Sequence, residues 1–175
     1  MQNRIENGIR ELVEEFNQHG CPCPSLETIT SRRQGYIDSV VLAGHSDKVY
    51  DEFDIEIEGQ QLSIFKPSSE NNLPITIYFH GGCFVSGNKE THLQQLRQLA
   101  VLSHSIVVYV DYRLAPENVY PAAHDDVYNA VLTIRAHGSQ FGGDTTAISF
   151  VGDSAGGQLA LITSLRLKER NDWMP

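Results

Sequence analysis

Ile148-Ser149-Phe150-Val151-Gly152-Asp153-Ser154-Ala155-Gly156-Gly157 joins a short apolar run to a segment, Ala155 to about Lys168, with helical patterning. A serine flanked by glycines two residues before and two residues after, between a strand and a helix, is the arrangement of a nucleophile elbow. The backbone there turns so tightly that a Cβ at either flanking position would clash, and glycine removes it. The serine oxygen then stands exposed at the C-terminal edge of a sheet. It also lies at a helix N-terminus, where developing negative charge is favoured. Gly-x-Ser-x-Gly alone is a weak signal, because Gly and Ser fill many ordinary turns. Its strand–turn–helix setting makes Ser154 the candidate nucleophile, with Gly152, Asp153 and Gly156 supporting the turn.

Upstream, His80-Gly81-Gly82-Cys83 follows the apolar strand-forming run Ile75–Phe79. Acyl transfer builds charge on a tetrahedral oxyanion, which needs fixed N–H donors. A glycine-rich loop after a strand brings bare amides close to that charge. One donor is expected from Ala155, the residue after the nucleophile, and the others from this loop.

The remaining pattern frames these two segments. Phe53, Ile55 and Ile57 alternate with Asp54, Glu56 and Glu58, and Leu62, Ile64 and Phe65 follow Gly59-Gln60, which predicts a hairpin. Pro67 to Pro74 is a polar loop. Thr91–Ser103 and Ala122 to about His137 have helical spacing. Ile106–Val110 and Ile148–Val151 are short continuous apolar runs, as in strands buried on both faces of a parallel sheet. Alternating strands and helices predict an α/β fold, a mostly parallel sheet with helices on both faces. At the N-terminus Ile5, Ile9, Leu12, Val13 and Phe16 share one helical face over about residues 4–18. Gly20-Cys21-Pro22-Cys23-Pro24 breaks that helix, and a weaker helical region runs from Ser25 to about Leu42. Residues 1–45 thus read as N-terminal helices and 46–175 as the α/β core.

HGGCFVSG at 80–87, DYRLAPE at 111–117, YPAAHDD at 120–126 and GDSAGG at 152–157 together resemble the hormone-sensitive-lipase-like carboxylesterases, in family order and spacing. The resemblance covers about residues 75–170, and the N-terminal helices resemble, less specifically, that family's cap. It implies the α/β-hydrolase fold and a serine hydrolase acting on short-to-medium acyl esters, without metal or organic cofactor. It makes Ser154 the nucleophile and Gly82, Cys83 and Ala155 the oxyanion-hole donors. His80 opens the loop as a structural residue, and Arg113 and Glu117 are scaffold ion-pair members. Asp125 and Asp126 sit near a helix start, where carboxylates suit the dipole. Cys83 departs from the family, which has a third glycine there. A left-handed backbone at that position would cost about 1–2 kcal/mol.

The larger departure concerns the triad. The α/β-hydrolase order is Ser, then Asp or Glu, then His. No histidine follows Ser154, and Glu169 and Asp172 follow too soon. The expectation is a chain truncated after the elbow helix, lacking both triad partners and impaired as a catalyst. An open half-sheet would expose an apolar strand edge and invite association with a second copy. The rival readings are an amidase or formamidase on the same fold, a non-catalytic small-molecule-binding relative, and a non-functional remnant.

A net charge of -9, with no basic stripe, argues against a nucleic-acid partner. No apolar run reaches the length of a membrane span, and the charged start has no signal-peptide pattern, so a cytoplasmic location is expected. His19, Cys21 and Cys23 lack zinc spacing and read as a hinge with free thiols rather than a metal site.

Overall fold

The computed structural model describes residues 7–19, 28–170 and 173–175. The acidic alternation becomes strand β1 (Asp51–Ile57), and Glu58 and Gly59, both at positive φ, turn the chain into β2 (Gln60–Lys66). Two consecutive left-handed residues match the twist of a two-residue hairpin, and the register pairs Ile57 with Gln60 and Asp51 with Lys66. Strands β3 (Leu73–Phe79), β4 (Ile106–Val110) and β5 (Gly143–Gly152) complete one sheet in the order β1-β2-β4-β3-β5. Both β1–β2 and β2–β4 are antiparallel and the rest parallel, so only β2 runs against the other four.

Helix α1 (Asn7–His19) precedes α2 (Ile29–Asp38), whose N-cap Thr28 accepts from Ser31 N; a short 3-10 helix (Ser39–Ala43) extends it. Crossover helices α3 (Lys89–Ser103) and α4 (Ala122–His137) link the parallel strands, and α5 (Ala155–Glu169) follows β5. Period-2 alternation sends Tyr78, Phe65, Val107 and Tyr109 to one face, under Leu96 and Ala100 of α3. It sends Ile64, Ile75, Ile77, Phe79 and Val108 to the other, under Val127, Val131 and Ile134 of α4 and Leu159 and Leu167 of α5. Helices on both faces bury β3 and β4 and bring their C-terminal ends, with that of β5, to one edge.

Two expectations change. Strand β5 is not buried on both faces: Ile148 lies in the core with residues of α4 and α5, whereas Ser149 and Val151, which point to the opposite face, are exposed, and among the described residues β5 pairs only with β3. Strand β3 begins at Leu73, inside the stretch read as a polar loop. The expected N-terminal helix forms as α1, with Ile9 and Val13 of its apolar face exposed. Ile5 and the break at Gly20–Pro24, with Cys21 and Cys23, lie outside the described residues. No helix among the described residues is long and apolar enough to cross a membrane.

Ile77 is fully buried at the centre of β3. Ile77→Ala is expected to lower unfolding stability by about 3 kcal/mol through lost burial and the cavity left behind, read as a shift in urea midpoint.

Candidate active site

The sharp turn between β5 and α5 exists because its glycines admit two close approaches. A Cβ on Gly156 would lie 1.8 Å from the Phe79 carbonyl oxygen, and one on Gly152 would lie 2.4 Å from the Gly156 carbonyl carbon. Between them Ser154 takes φ 50 and ψ -115, outside the ordinary regions for an L-residue. Such strain persists only where the surroundings over-determine it. The turn is closed by Gly156 N donating to Asp153 O at 2.7 Å and Gln158 N donating to Ser154 O at 3.2 Å.

The loop after β3 is fixed one carbonyl at a time. Gly81 O accepts from His80 Nδ1 at 2.6 Å. Gly82 O accepts from Val85 N at 3.1 Å, Ser86 N at 3.0 Å and Ser86 Oγ at 3.0 Å. A trans peptide aims its carbonyl and the next N–H in opposite directions. Holding these two carbonyls therefore turns the Gly82 and Cys83 N–H groups the other way. Among the described residues neither N–H, nor that of Ala155, enters a backbone hydrogen bond. The loop is left-handed at Gly82 (φ 119), Cys83 (φ 56) and Phe84 (φ 62). Cys83 is thus an exposed, free cysteine in a conformation that favours glycine.

Asp153 joins loop to elbow. Its Oδ1 accepts from Tyr78 Oη at 2.9 Å and Gly81 N at 2.9 Å, and His92 Nε2 lies 3.6 Å away. Burial acts to raise this carboxyl, but His92, Tyr78 and the Gly81 N–H outweigh it and hold its pKa at about 2. A Cβ on Gly81 would lie 2.1 Å from Asp153 Oδ2, so any larger residue there would displace the carboxylate.

His80 is fully buried, stacked on Tyr112 at 4.3 Å and beside Tyr109 and His92. Burial pushes its pKa down to about 4, so the ring is neutral, with its proton on the nitrogen that holds Gly81 O. Tyr112 Oη donates to His80 O at 2.6 Å. Arg113 and Glu117 are both ion-paired, though not to each other: Arg113 forks onto Asp126, and Glu117 receives Arg33 of α2. Asp125 pairs with Arg166 of α5. The sequence offered no signal for Tyr36, Tyr78 or His92, whose roles arise where α2, α3 and β3 meet.

Beside the loop and the first turn of α5 lies a cleft of ≈ 320 Å³, lined by Phe84, Tyr120, Ala123, His124 and Gln158 among others. His124 stacks on Phe84 at 5.7 Å and meets Tyr120 edge-on, and burial with Arg166 nearby lowers its pKa. None of the hydrogen bonds among the described residues joins a histidine to the Ser154 hydroxyl. Among the described residues no cluster of three His, Cys, Asp or Glu could hold a metal.

The profile of the alpha/beta hydrolase fold family matches residues 76–175, from the middle of β3 through the elbow and α5. The chain belongs to that family. It is 48% identical over 96 residues to Esterase LipI of Mycobacterium tuberculosis, covering 55% of this chain and 30% of that protein. It is 36% identical over 117 residues to an arylesterase of Saccharolobus solfataricus, covering 66% of this chain and 38% of that protein. The hyperthermophilic esterase of Pyrobaculum calidifontis superposes with TM-score 0.86 at 32% identity, over 96% of this chain and 55% of that one. A thermostable esterase of Pseudomonas putida superposes with TM-score 0.85 at 28% identity, over 99% of this chain and 56% of that one. The chain thus spans about a third of the length of these sequence relatives and just over half of the solved chains.

Cys83→Gly is expected to stabilise the fold by about 0.5–1 kcal/mol, strain relief exceeding the added unfolded-state entropy, measured by denaturant unfolding. For His80 the depressed pKa sets the sign. The neutral ring stabilises the fold fully above the unfolded value of about 6.5, and that contribution is lost as pH falls through about 4. Ring NMR signals of His80 should not titrate between pH 7 and about 5, whereas an ordinary histidine would pass its midpoint there.

Proposed function

We propose that this chain carries the nucleophile and oxyanion donors of a serine carboxylesterase of the hormone-sensitive-lipase-like type, acting on small-molecule esters with short-to-medium acyl groups. The observation that carries the reading is the strained Ser154 turn, tied through Asp153 to a loop whose two fixed carbonyls leave the Gly82 and Cys83 N–H groups unused.

In this reading Ser154 Oγ attacks the ester carbonyl while a base takes its proton. Charge develops on the carbonyl oxygen, and the N–H groups of Gly82, Cys83 and Ala155 receive it. The alcohol leaves with a proton, and water releases the acyl group from Ser154. The apolar cleft beside Phe84 and Gln158 accepts a non-reacting part of the ester. Residues 1–45 act as a cap over the site, and 46–175 as the catalytic scaffold. The esterase names of the relatives support the substrate class. A serine without a base is a poor nucleophile. The described residues place no histidine on Ser154, so the reading draws its base and orienting carboxylate from polypeptide other than these residues. That same observation favours a second reading, a small-molecule binder that does not turn over its ligand.

The test uses a fluorophosphonate probe and intact mass, with Ser154→Ala as control, first without and then with free imidazole to stand in for the base. A single adduct that depends on Ser154 and accelerates with imidazole free base is expected. Labelling equal in wild type and Ser154→Ala under both conditions overturns the esterase reading. Saturable binding of an ester analogue alongside that failure supports the binder.

A further inference from the structure

Helix α2 touches one end of the loop that carries Gly82 and Cys83 directly and backs the other through His92 and Asp153. Arg33 and Tyr36 are three residues apart, on one helical face. Arg33 Nε donates to Val85 O at 2.7 Å, and its Nη2 donates to Ala115 O at 3.1 Å. The rest of the guanidinium fork meets both carboxylate oxygens of Glu117 at 2.8 and 2.7 Å. One side chain thus binds the far end of the loop to the Leu114–Glu117 segment, itself joined to the loop by Ala115 N donating to Phe84 O at 2.8 Å.

At the near end Tyr36 Oη lies 3.2 Å from His92 Nε2, and the two rings meet edge-on. His92 is buried, and the same Nε2 faces Asp153 Oδ1, which accepts from Gly81 N. Tyr36 therefore backs the imidazole that faces the carboxylate holding the start of the loop.

We propose that α2 is a clamp on the donor loop, with Arg33 and Tyr36 as positioning residues: Arg33 holds its Val85 end, and Tyr36, through His92 and Asp153, its Gly81 end. The clamp couples α2 to the chemistry. Displacement of α2 releases both ends of the loop together and misaims the Gly82 and Cys83 N–H groups, while the Ser154 turn, held by its own glycines and hydrogen bonds, stays in place. The consequence for rate rests on the reading of those N–H groups as oxyanion donors; the mechanical coupling does not.

Arg33→Lys keeps the charge but loses the planar fork, which alone can serve two carbonyls and a carboxylate at once. Tyr36→Phe removes only the hydroxyl. Arg32→Lys, one residue away, is the control. Amide hydrogen exchange on the full chain is read at Gly81, Val85 and Ser86, with β4 amides reporting global opening. Arg33→Lys is expected to speed exchange at Val85 and Ser86 about tenfold, and Tyr36→Phe at Gly81 about fivefold, with β4 unchanged. Phosphonylation of Ser154 with added imidazole should lose maximal rate in both variants and keep the probe's half-saturation concentration.

Loop exchange like wild type in both variants overturns the clamp. Exchange that rises equally in the loop and β4 also overturns it, since α2 would then only stabilise the fold. If wild-type Ser154 is never labelled, the esterase reading fails, and the exchange measurements still decide the clamp.

Discussion

The Asp153 carboxylate is the junction on which the rest of the site depends. It belongs to the turn that strains Ser154, yet its hydrogen bonds go to Tyr78 at the end of β3 and to Gly81 in the loop beyond. A carboxylate that gives up part of its hydration on one side recovers it from fixed donors there. Two such donors and the facing His92 ring come from segments far apart in sequence, so satisfying one charge draws β3, α3 and the elbow together. Glycine at 81 and 156 lets the backbones approach closely enough for this to happen.

Around that junction, conformations that would be unfavourable in isolation support one another. The left-handed run Gly82-Cys83-Phe84 is closed by three donors converging on Gly82 O. The neutral His80 ring holds Gly81 O because its aromatic shell excludes the water that would let it charge. Hydrogen bonds in such low-dielectric surroundings are worth more than in water, and leaving one unmade is correspondingly expensive. The loop is thus held by interactions from inside the sheet and, through Arg33 and Tyr36, from the helix outside it.

Much of this was legible along the chain. The hairpin followed from two-residue alternation and Gly59, β4 and α4 from their apolar spacing, and the elbow from glycines flanking a serine between a strand and a helix. These are local signals, because side-chain period and turn chemistry act over a few residues. The same locality explains the errors. Apolar content at Ile148–Val151 reads as burial on both faces, but which face is covered depends on where the helices pack, and here Ile148 is buried while Ser149 and Val151 are exposed.

The sequence by itself determined the α/β alternation, the Ser154 turn and the glycine loop, because each is specified by backbone sterics within its own segment. Only the tertiary structure decided that β4 lies between β2 and β3, that Glu117 pairs with Arg33 and Arg113 with Asp126, and that His92 faces Asp153. Those contacts join groups between 13 and 84 residues apart. No short pattern encodes them, since any of several charged or aromatic residues could have met until the packing of helices on the sheet brought these together.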